Sequence, residues 1–223
     1  MSVTNKDLVA QYAQLHQSQK YGQSARSAAR SIELCLAEVK PGSILEYGCG
    51  QSQLHEILGK PGVVFDRYDP AIPALARIPR ERYEFLISTD VLEHIPTEDV
   101  PAVLAHLRRL SAHAFLRIST RPARTILPDG RNAHFTIWPG EQWLEAIRAY
   151  FPDARMPIEI KGESCVILTW PSAVAEEITR IETGLERRRR NKVKGFFKRI
   201  ERRFRSLRDA VLGRKKNRST GQR

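Results

Sequence analysis

The stretch SILEYGCGQSQLHEIL, residues 43–58, decides the fold class. Its first five residues predict a buried strand and its last seven a helix, so Gly48 and Gly50 lie in the turn between them. Such a turn presents backbone N–H groups at a helix start, and glycine lets the backbone approach a ligand closely. A dinucleotide fingerprint needs a third glycine where this chain has Gln53. The turn therefore predicts a smaller ligand with a ribose and a carboxylate, a purely structural turn being the alternative.

Strands and helices alternate along the rest of the chain. The patterns predict further strands at Val63–Tyr68, Tyr83–Ser88, Ala112–Ile118, Pro157–Ile160 and Cys165–Trp170, and helices at 5–20, 24–39, Glu98–Leu110 and Gly140–Tyr150. This alternation predicts an α/β fold with a mostly parallel sheet covered by helices on both faces. Only 13 residues separate Asp69 from Tyr83, so we expect one crossover to be reduced to a loop.

Charge is distributed unevenly along the 223 residues. The formal net charge is +12, but residues 180–223 hold 18 Lys and Arg against 4 Asp and Glu, which leaves the remainder at −2. The three cysteines form no CxxC pair, which argues against a zinc framework or a disulfide scaffold and favours a reducing cytosol. No apolar run approaches the ~20 residues that a membrane span needs.

A second acidic position supports a nucleoside ligand. Asp66 and Asp69 follow Glu46 by about 20 residues, where α/β nucleotide folds place the acid that binds ribose hydroxyls. Asp69, which is followed by Pro70, fits the end of the strand, whereas Asp66 fits a strand edge facing solvent.

Three motifs together resemble one family. EYGCGQS, YDPAI and STDVLEHIP, in that order, resemble class I S-adenosylmethionine-dependent methyltransferases over roughly residues 40–170, a family with a Rossmann-like sheet. The resemblance implies that the glycine turn holds the methionine end of S-adenosyl-L-methionine, that Asp69 binds its ribose, and that the segment after STD lies beside cofactor and substrate. The cofactor-binding residues predicted in this way are Glu46, Gly48, Cys49, Gly50, Ser52, Asp69, Pro70, Asp90 and Val91.

The resemblance also has a finer part and a gap. Tyr12, His16, Tyr21 and the segment LPDGRNAHFTIWPGEQW, residues 127–143, are similar to a bacterial and phage subgroup of these methyltransferases, which brings no substrate with it. Family members often have a further strand ending in an acid that contacts the adenine. The short crossover leaves no room for that strand, so no adenine contact is predicted.

Two histidines are candidate catalytic residues. Methylation of a hydroxyl requires alignment with the methyl group and removal of a proton, for which an imidazole is well suited. His94 follows the STD motif and His134 lies in the polar DGRNAH loop, both at the carboxyl end of the predicted sheet, where open α/β folds bind ligands. A structural role for either histidine is the alternative. Arg131 and Asn132 either bind an anionic or sugar-like acceptor or order the loop.

A metal-dependent variant uses the same residues. Asp90, Glu93, His94 and His134 resemble the carboxylate and histidine pattern of metal-dependent small-RNA 2′-O-methyltransferases. Such a set suits a divalent ion that lowers the pKa of an acceptor hydroxyl. Because the Glu-His pair is common in members that bind no metal, the primary prediction includes no metal ligand.

The two ends of the chain have separate predictions. Residues 1–40 are expected to form a helical lid or cap, carrying Tyr12, His16 and Tyr21, over the methyltransferase domain of residues 41–172. A core position for Tyr12 and an exposed one for His16 are the alternative. Residues 173–223 are expected to form a basic amphipathic helix and a disordered tail. Within 186–216 the apolar positions recur at spacings of three and four, among them Val193, Phe196, Phe197, Ile200 and Phe204.

This apolar stripe between Lys and Arg residues favours a helix lying on an anionic membrane surface. Docking on the catalytic domain, self-association and binding to RNA phosphates are the alternatives.

The sequence as a whole predicts an S-adenosylmethionine-dependent methyltransferase. We expect it to O-methylate a sugar or lipid-linked glycan, and to be cytoplasmic and peripheral on the inner face of the cell membrane. One alternative is an RNA methyltransferase, metal-assisted or not, that binds phosphates through the basic tail. The other is a cofactor-binding assembly partner without catalysis. Fold alone does not decide among them.

Overall fold

The structure is a computed structural model that describes residues 6–18, 24–188, 191 and 200. The chain divides into two units, Met1–Glu182 and Thr183–Arg223. The first contains the six strands of the described residues and the site described below. In the second, the described residues 183–188, 191 and 200 are helical.

One mixed sheet forms the centre of the first unit. Its strands are β1 (Ser43–Tyr47), β2 (Val64–Tyr68), β3 (Phe85–Thr89), β4 (Ala114–Ser119), β5 (Arg155–Ile160) and β6 (Ser164–Leu168). They lie in the order β2-β1-β3-β4-β6-β5, with β2, β1, β3 and β4 parallel and β6 antiparallel to both β4 and β5. The predicted mostly parallel α/β sheet is confirmed, and its four parallel strands end at a common edge.

Among the helices in the described residues, five connect and cover these strands. They are α1 (Lys6–Ser18), α2 (Ala29–Val39), α3 (Leu54–Leu58), α4 (Val100–Leu110) and α5 (Gly140–Arg148). A 3₁₀ turn, Ser24–Ala28, begins the segment that was expected to be one helix from residue 24. Helix α3 begins two residues later than expected, because the Ser52 side chain accepts the Leu54 N–H and ends the turn there.

The short crossover is also confirmed. Between β2 and β3 the only helical residues are the 3₁₀ turn Pro73–Leu75. The Asp69 N–H donates to the Leu75 carbonyl at 3.0 Å, which closes this connection into a compact loop. The strand that carries the STD motif is consequently the third of this sheet, and it pairs directly with β1.

Apolar layers lie on both faces of the sheet. On one face, α4 and α5 bury Leu107 and Trp143 against strand residues such as Ile118. On the other, α2 and α3 bury Ile32 and Leu54 against a second set of strand residues. The expected covering of both faces is therefore confirmed, and the strand ends are held rigidly where ligand-binding residues can be placed.

The tail can be described only in part. Residues 175–188 are helical, and the Ser31 hydroxyl donates to the buried Glu182 carboxylate at 2.6 Å. Most of the predicted amphipathic segment 186–216 lies outside the described residues. Among the helices that are described, none is both long and apolar enough to cross a membrane.

Candidate active site

The turn after β1 is held against the end of β3. Gly48 has a positive φ of 70°, and a Cβ atom there would lie 2.5 Å from Val91 Cγ2. Such a distance is far inside van der Waals contact, so only glycine fits both the left-handed backbone and the space. The Gly48 position therefore joins the β1 turn to the segment after β3.

The N–H groups of this turn are used by the protein. Gly48 and Cys49 both donate to the Tyr68 carbonyl, at 2.8 and 3.0 Å, and Gly50 donates to Asp69 Oδ2 at 2.8 Å. The expectation that these N–H groups are available to a ligand is wrong, because the end of β2 runs alongside the turn and supplies acceptors. What the turn offers a ligand is its close backbone approach and the carboxylates around it.

Asp69 lies at the end of β2, as predicted. It is buried, and its Oδ1 accepts the Ala71 N–H at 2.8 Å while Oδ2 accepts that of Gly50. A carboxylate has about four acceptor positions, so two N–H bonds leave capacity for ribose hydroxyls. The same two bonds fix the carboxylate rigidly beside the turn.

Glu46 is the most unusual residue of the turn. Its side chain is only 2% exposed, and in the described part of the chain neither carboxylate oxygen has a hydrogen-bond partner. Burial raises its pKa to about 7, an effect that nearby Ser52 and Arg67 reduce and the Asp69 charge increases. Because an unsatisfied buried carboxylate is costly, it indicates a place where a polar or cationic ligand binds.

Sequence reasoning missed Arg67. On β2, opposite Glu46 in the register, its guanidinium donates to the Ser52 and Gly50 carbonyls at 2.9 and 3.3 Å, and Nε lies 3.9 Å from Glu46 Oε2. Arg67 thus stabilises the conformation of the turn through these hydrogen bonds. Its signal in the sequence is an arginine within a strand that the sequence predicts to be parallel and to lie beside the glycine turn.

Three other predicted contacts have structural features of their own. Burial raises the pKa of the Cys49 thiol to about 12, which fits a packing residue and excludes a reactive thiolate near neutral pH. Ser52 caps the start of α3. Pro70 starts the loop after Asp69, and its contact with the cofactor stays a prediction.

The segment after β3 turns sharply at Asp90. This residue has a positive φ of 54°, rare for a residue other than glycine, and its N–H donates to the Arg117 carbonyl at 2.8 Å. The turn sends the chain into the 3₁₀ turn Leu92–His94 and presses Val91 against Gly48. Strain of this kind occurs at functional sites, where surrounding contacts maintain it.

Both predicted catalytic histidines meet here, together with Glu93. One candidate ligand atom from each of Glu93, His94 and His134 lies within 4.8 Å of the others. The two imidazole rings are edge to face, with centroids 4.7 Å apart. We call these three residues the histidine cluster. The loop that carries His134 is fixed to the turn after β3, because the Phe135 and Thr136 N–H groups both donate to the Glu93 carbonyl.

Hydrogen bonds to carbonyls assign the tautomers of both rings. His94 Nδ1 lies 2.7 Å from the Ala133 carbonyl oxygen, and His134 Nδ1 lies 2.6 Å from that of Arg121. A carbonyl only accepts, so each Nδ1 carries a proton and each Nε2 carries the lone pair. Both histidines therefore have a nitrogen able to accept a proton or to bind a metal ion.

The cluster favours uncharged forms. Burial lowers the pKa of His94 to about 4, helped by neighbouring His134, and burial also lowers the pKa of His134. Burial raises the pKa of Glu93 well above its usual value, and the charge of Asp90 adds to this effect. His94 is therefore the weaker proton acceptor of the two histidines.

Helix α1 lies over this site. The Tyr12 hydroxyl donates to the Ala133 carbonyl at 2.7 Å and lies 2.9 Å from His94 Nδ1. Gln51, in the turn after β1, donates to the His16 carbonyl, and His16 Nε2 lies 3.9 Å from Asp69 Oδ2. The sequence predicts that Tyr12 and His16 lie on a lid. In the structure they contact the histidine loop and the turn after β1, respectively. Tyr21 lies outside the described residues.

The DGRNAH loop is ordered from within. Asn132 accepts the N–H groups of Ala123 and His134 and donates to the Ala123 carbonyl. Arg131 pairs with Asp129 at 2.6 Å and lies over the ring of Phe135. Of the two alternatives for Arg131 and Asn132, these contacts favour ordering of the loop.

A family model described as a methyltransferase domain matches residues 18–157, more than half of the chain. The chain belongs to this methyltransferase family. The prediction of a methyltransferase that uses S-adenosyl-L-methionine is confirmed. The likeness to the subgroup with the DGRNAH loop stays a prediction.

Solved methyltransferase structures are similar to this methyltransferase at low identity. The 1,6-didemethyltoxoflavin-N1-methyltransferase of Burkholderia thailandensis, with bound 1,6-didemethyltoxoflavin and S-adenosylhomocysteine, has 16% identity and a TM-score of 0.49 over 75% of this chain and 86% of its own. The N-terminal domain of EvdMO1, in the presence of S-adenosylhomocysteine and D-fucose, has 13% identity and a TM-score of 0.49 over 75% and 97%.

The magnesium protoporphyrin IX methyltransferase of Synechocystis PCC 6803, with bound S-adenosylmethionine, has 16% identity and a TM-score of 0.48 over 73% of this chain and 92% of its own. No curated protein matches the chain.

The contact between Gly48 and Val91 predicts the effect of one added methyl group. Gly48→Ala should weaken S-adenosylhomocysteine binding by at least about tenfold, because the turn must move away from Val91. Gly62→Ala is the matched control, since Gly62 has a φ of 80° but open space around its Cβ position. Gly62→Ala also places a side chain on a left-handed backbone, at a cost of about 1–2 kcal/mol of stability, but its Cβ clashes with no neighbour. This variant should therefore bind S-adenosylhomocysteine with full affinity. Isothermal titration calorimetry measures both, and equal affinities in the two variants would contradict the assignment.

The raised pKa of Glu46 predicts a pH-dependent loss of stability. A carboxyl whose pKa is about 7 when folded and 4.5 when unfolded binds more protons in the folded state, so the free energy of unfolding falls as pH rises from about 4.5 to 7. The full loss is on the order of 3 kcal/mol. Urea unfolding at pH 5 and pH 8 should show a larger loss for the wild type than for Glu46→Gln. Equal losses of unfolding free energy in the wild type and in Glu46→Gln would contradict the prediction.

Proposed function

We propose that this methyltransferase transfers a methyl group to a hydroxyl of a sugar or lipid-linked glycan at the cytoplasmic face of the membrane. The histidine cluster supports the proposed reaction, because the close approach of Val91 to Gly48 joins the turn after β1, the predicted cofactor site, to the segment that carries His94. The basic amphipathic segment 186–216 supports the proposed membrane location.

The residues of the turn fit the cofactor. Glu46, whose two buried oxygens have no hydrogen-bond partner in the described residues, suits the ammonium group of the methionine end. Gly48 has no side chain, so the methionine end can lie against the backbone of the turn. Asp69, held by two N–H bonds, suits the ribose hydroxyls. Asp90 and Val91 then face the part of the cofactor that lies towards the cluster. S-adenosylmethionine supplies the methyl on a positively charged sulfur, and transfer to a hydroxyl yields S-adenosylhomocysteine and one proton.

Disposal of that proton is the task of the cluster. His134 is less strongly perturbed than His94 and lies on the loop side, so it is the residue on which hydroxyl activation depends most. His94 is held by Tyr12 and Ala133 and supports the position of His134 through their ring contact. Within the N-terminal residues 1–40 predicted as a lid, α1 is the part that acts as one, since it contacts both the turn after β1 and the loop that carries His134, whereas α2 belongs to the core.

Removal of the His134 lone pair should abolish most of the activity. His134→Asn keeps an N–H donor near the Arg121 carbonyl but lacks Nε2, so kcat should fall by about 10²–10⁴-fold while S-adenosylhomocysteine affinity stays unchanged. His113→Asn is the control, because His113 precedes β4 at the opposite edge of the sheet.

The assay is release of S-adenosylhomocysteine with monosaccharide, nucleotide-sugar and lipid-linked sugar acceptors. A wild-type chain that binds S-adenosylhomocysteine yet methylates no hydroxylated acceptor would contradict the proposed function and favour a non-catalytic binding role.

The tail predicts binding to anionic vesicles. The full chain should float with vesicles that contain phosphatidylserine, even in the presence of a competing structured RNA. The reason is that segment 186–216 has apolar residues at helical spacings of three and four, with basic residues between them. Replacing Phe196, Phe197 and Phe204 by serine keeps the charge and should abolish flotation. Flotation that is absent, with salt-sensitive RNA binding that survives the serine substitutions, would overturn the membrane proposal and favour RNA as the acceptor.

A further inference from the structure

The packing of helix α1 brings His16 to the predicted ribose site. Leu8 and Leu15 are the buried residues of this helix, and they pack in a small apolar cluster with Leu127 and Ala133. Their spacing of seven places both on one face of the helix. This packing fixes the rotation of α1, and with it the position of His16, whose imidazole lies close to the Asp69 carboxylate.

Hydrogen bonds hold both members of this pair in place. Gln51 Nε2 donates to the His16 carbonyl at 2.8 Å, which fixes the backbone of α1 at this residue. The Asp69 carboxylate accepts the N–H groups of Gly50 and Ala71, both at 2.8 Å. The imidazole and the carboxylate therefore face each other across a distance that the surrounding protein sets.

That distance is too long for direct contact between the two groups. His16 Nε2 lies 3.9 Å from Asp69 Oδ2, although only 9% and 11% of the two side chains are exposed. A charge-assisted hydrogen bond between an imidazole and a carboxylate would bring the two atoms to about 2.7–2.9 Å. The observed separation is about 1 Å longer than this, so it suits a polar group that contacts both atoms.

A hydroxyl group fits both the spacing and the chemistry of the pair. An oxygen about 2.8 Å from each of the two atoms forms an angle of about 90° with them, which suits a hydroxyl that donates one hydrogen bond and accepts another. Asp69 Oδ2 can accept the hydroxyl proton, because a carboxylate oxygen has about two acceptor positions and the Gly50 N–H uses one. The imidazole of His16 can donate its Nε2–H to the same hydroxyl oxygen.

We propose that His16 is a cofactor-binding residue, and that one ribose hydroxyl of S-adenosylmethionine bridges His16 Nε2 and Asp69 Oδ2. The bridge joins α1 to the end of β2 through the cofactor. Tyr12, on the same helix, joins α1 to the loop that carries His134. Cofactor binding therefore stabilises α1 in its position over the site. The inference rests on the ribose position given under the proposed function, and it is independent of the acceptor.

A comparison of three ligands tests the bridge without turnover. Isothermal titration calorimetry of the full chain measures binding of S-adenosylhomocysteine and of its 2′-deoxy and 3′-deoxy ribose analogues. His16→Ala should bind S-adenosylhomocysteine about tenfold more weakly than the wild type does, because it loses one hydrogen bond to the ribose. The variant and the wild type should bind one of the two deoxy analogues equally, because that analogue lacks the bridging hydroxyl.

Two further variants complete the test. His16→Gln keeps an N–H donor at a similar distance from the backbone, so it should recover most of the affinity for S-adenosylhomocysteine. Gln14→Ala is the matched control, because Gln14 is exposed on the same helix. It should bind all three ligands as the wild type does.

The outcomes separate the bridge from the reaction. Full affinity of His16→Ala for S-adenosylhomocysteine, or an equal loss of affinity for all three ligands, would overturn the bridge, since the equal loss is the mark of a structural role. Wild-type binding of both deoxy analogues as tight as that of S-adenosylhomocysteine would overturn the ribose position at Asp69 together with the bridge. The expected pattern in a chain that methylates no hydroxylated acceptor would support the bridge and overturn only the proposed acceptor.

Discussion

The contact between the Gly48 backbone and the Val91 side chain is the constraint on which the site depends. It holds the turn after β1 against the segment after β3, and it exists only because position 48 lacks a Cβ and adopts a positive φ. The pairing of β1 with β3 brings these two segments to one edge of the sheet. Without the short crossover between β2 and β3 the same strands would still pair, but the compact loop that carries Asp69 would differ.

Two carboxylates keep unsatisfied oxygens in this rigid frame. Glu46 ends β1 next to the turn, Glu93 belongs to the histidine cluster, and burial raises the pKa of each. Both arrangements cost stability in the protein alone, since a buried acceptor without a partner is unfavourable. Both lie next to residues predicted to bind the cofactor or the acceptor, which fits the general finding that local rules are broken where ligands bind. A cationic group of the cofactor at Glu46 would satisfy the first of them.

Much of the fold was predictable, because hydrophobic periodicity and glycine placement are local signals. The bounds of strand β1 were predicted correctly at both ends. The reduced crossover was predicted from the small number of residues between Asp69 and Tyr83. Long-range contacts were not predictable. Three sets of hydrogen bonds join residues that are distant in sequence. Tyr68 and Asp69 accept N–H groups of the turn after β1, Tyr12 donates to the carbonyl of Ala133, and Arg67 donates to carbonyls of the turn. His94 and His134 were both candidates from residue type and position, but their ring contact and tautomers needed the fold.

A crystal structure of the full chain with S-adenosylhomocysteine would show whether the turn after β1 and the histidine cluster form one site. We expect the amino group of the homocysteine end at Glu46, the backbone of that end next to Gly48, the ribose hydroxyls at Asp69 and the sulfur facing Glu93, His94 and His134. A ligand bound elsewhere, or bound with its sulfur directed away from those three residues, would contradict the account of both the cofactor turn and the reaction.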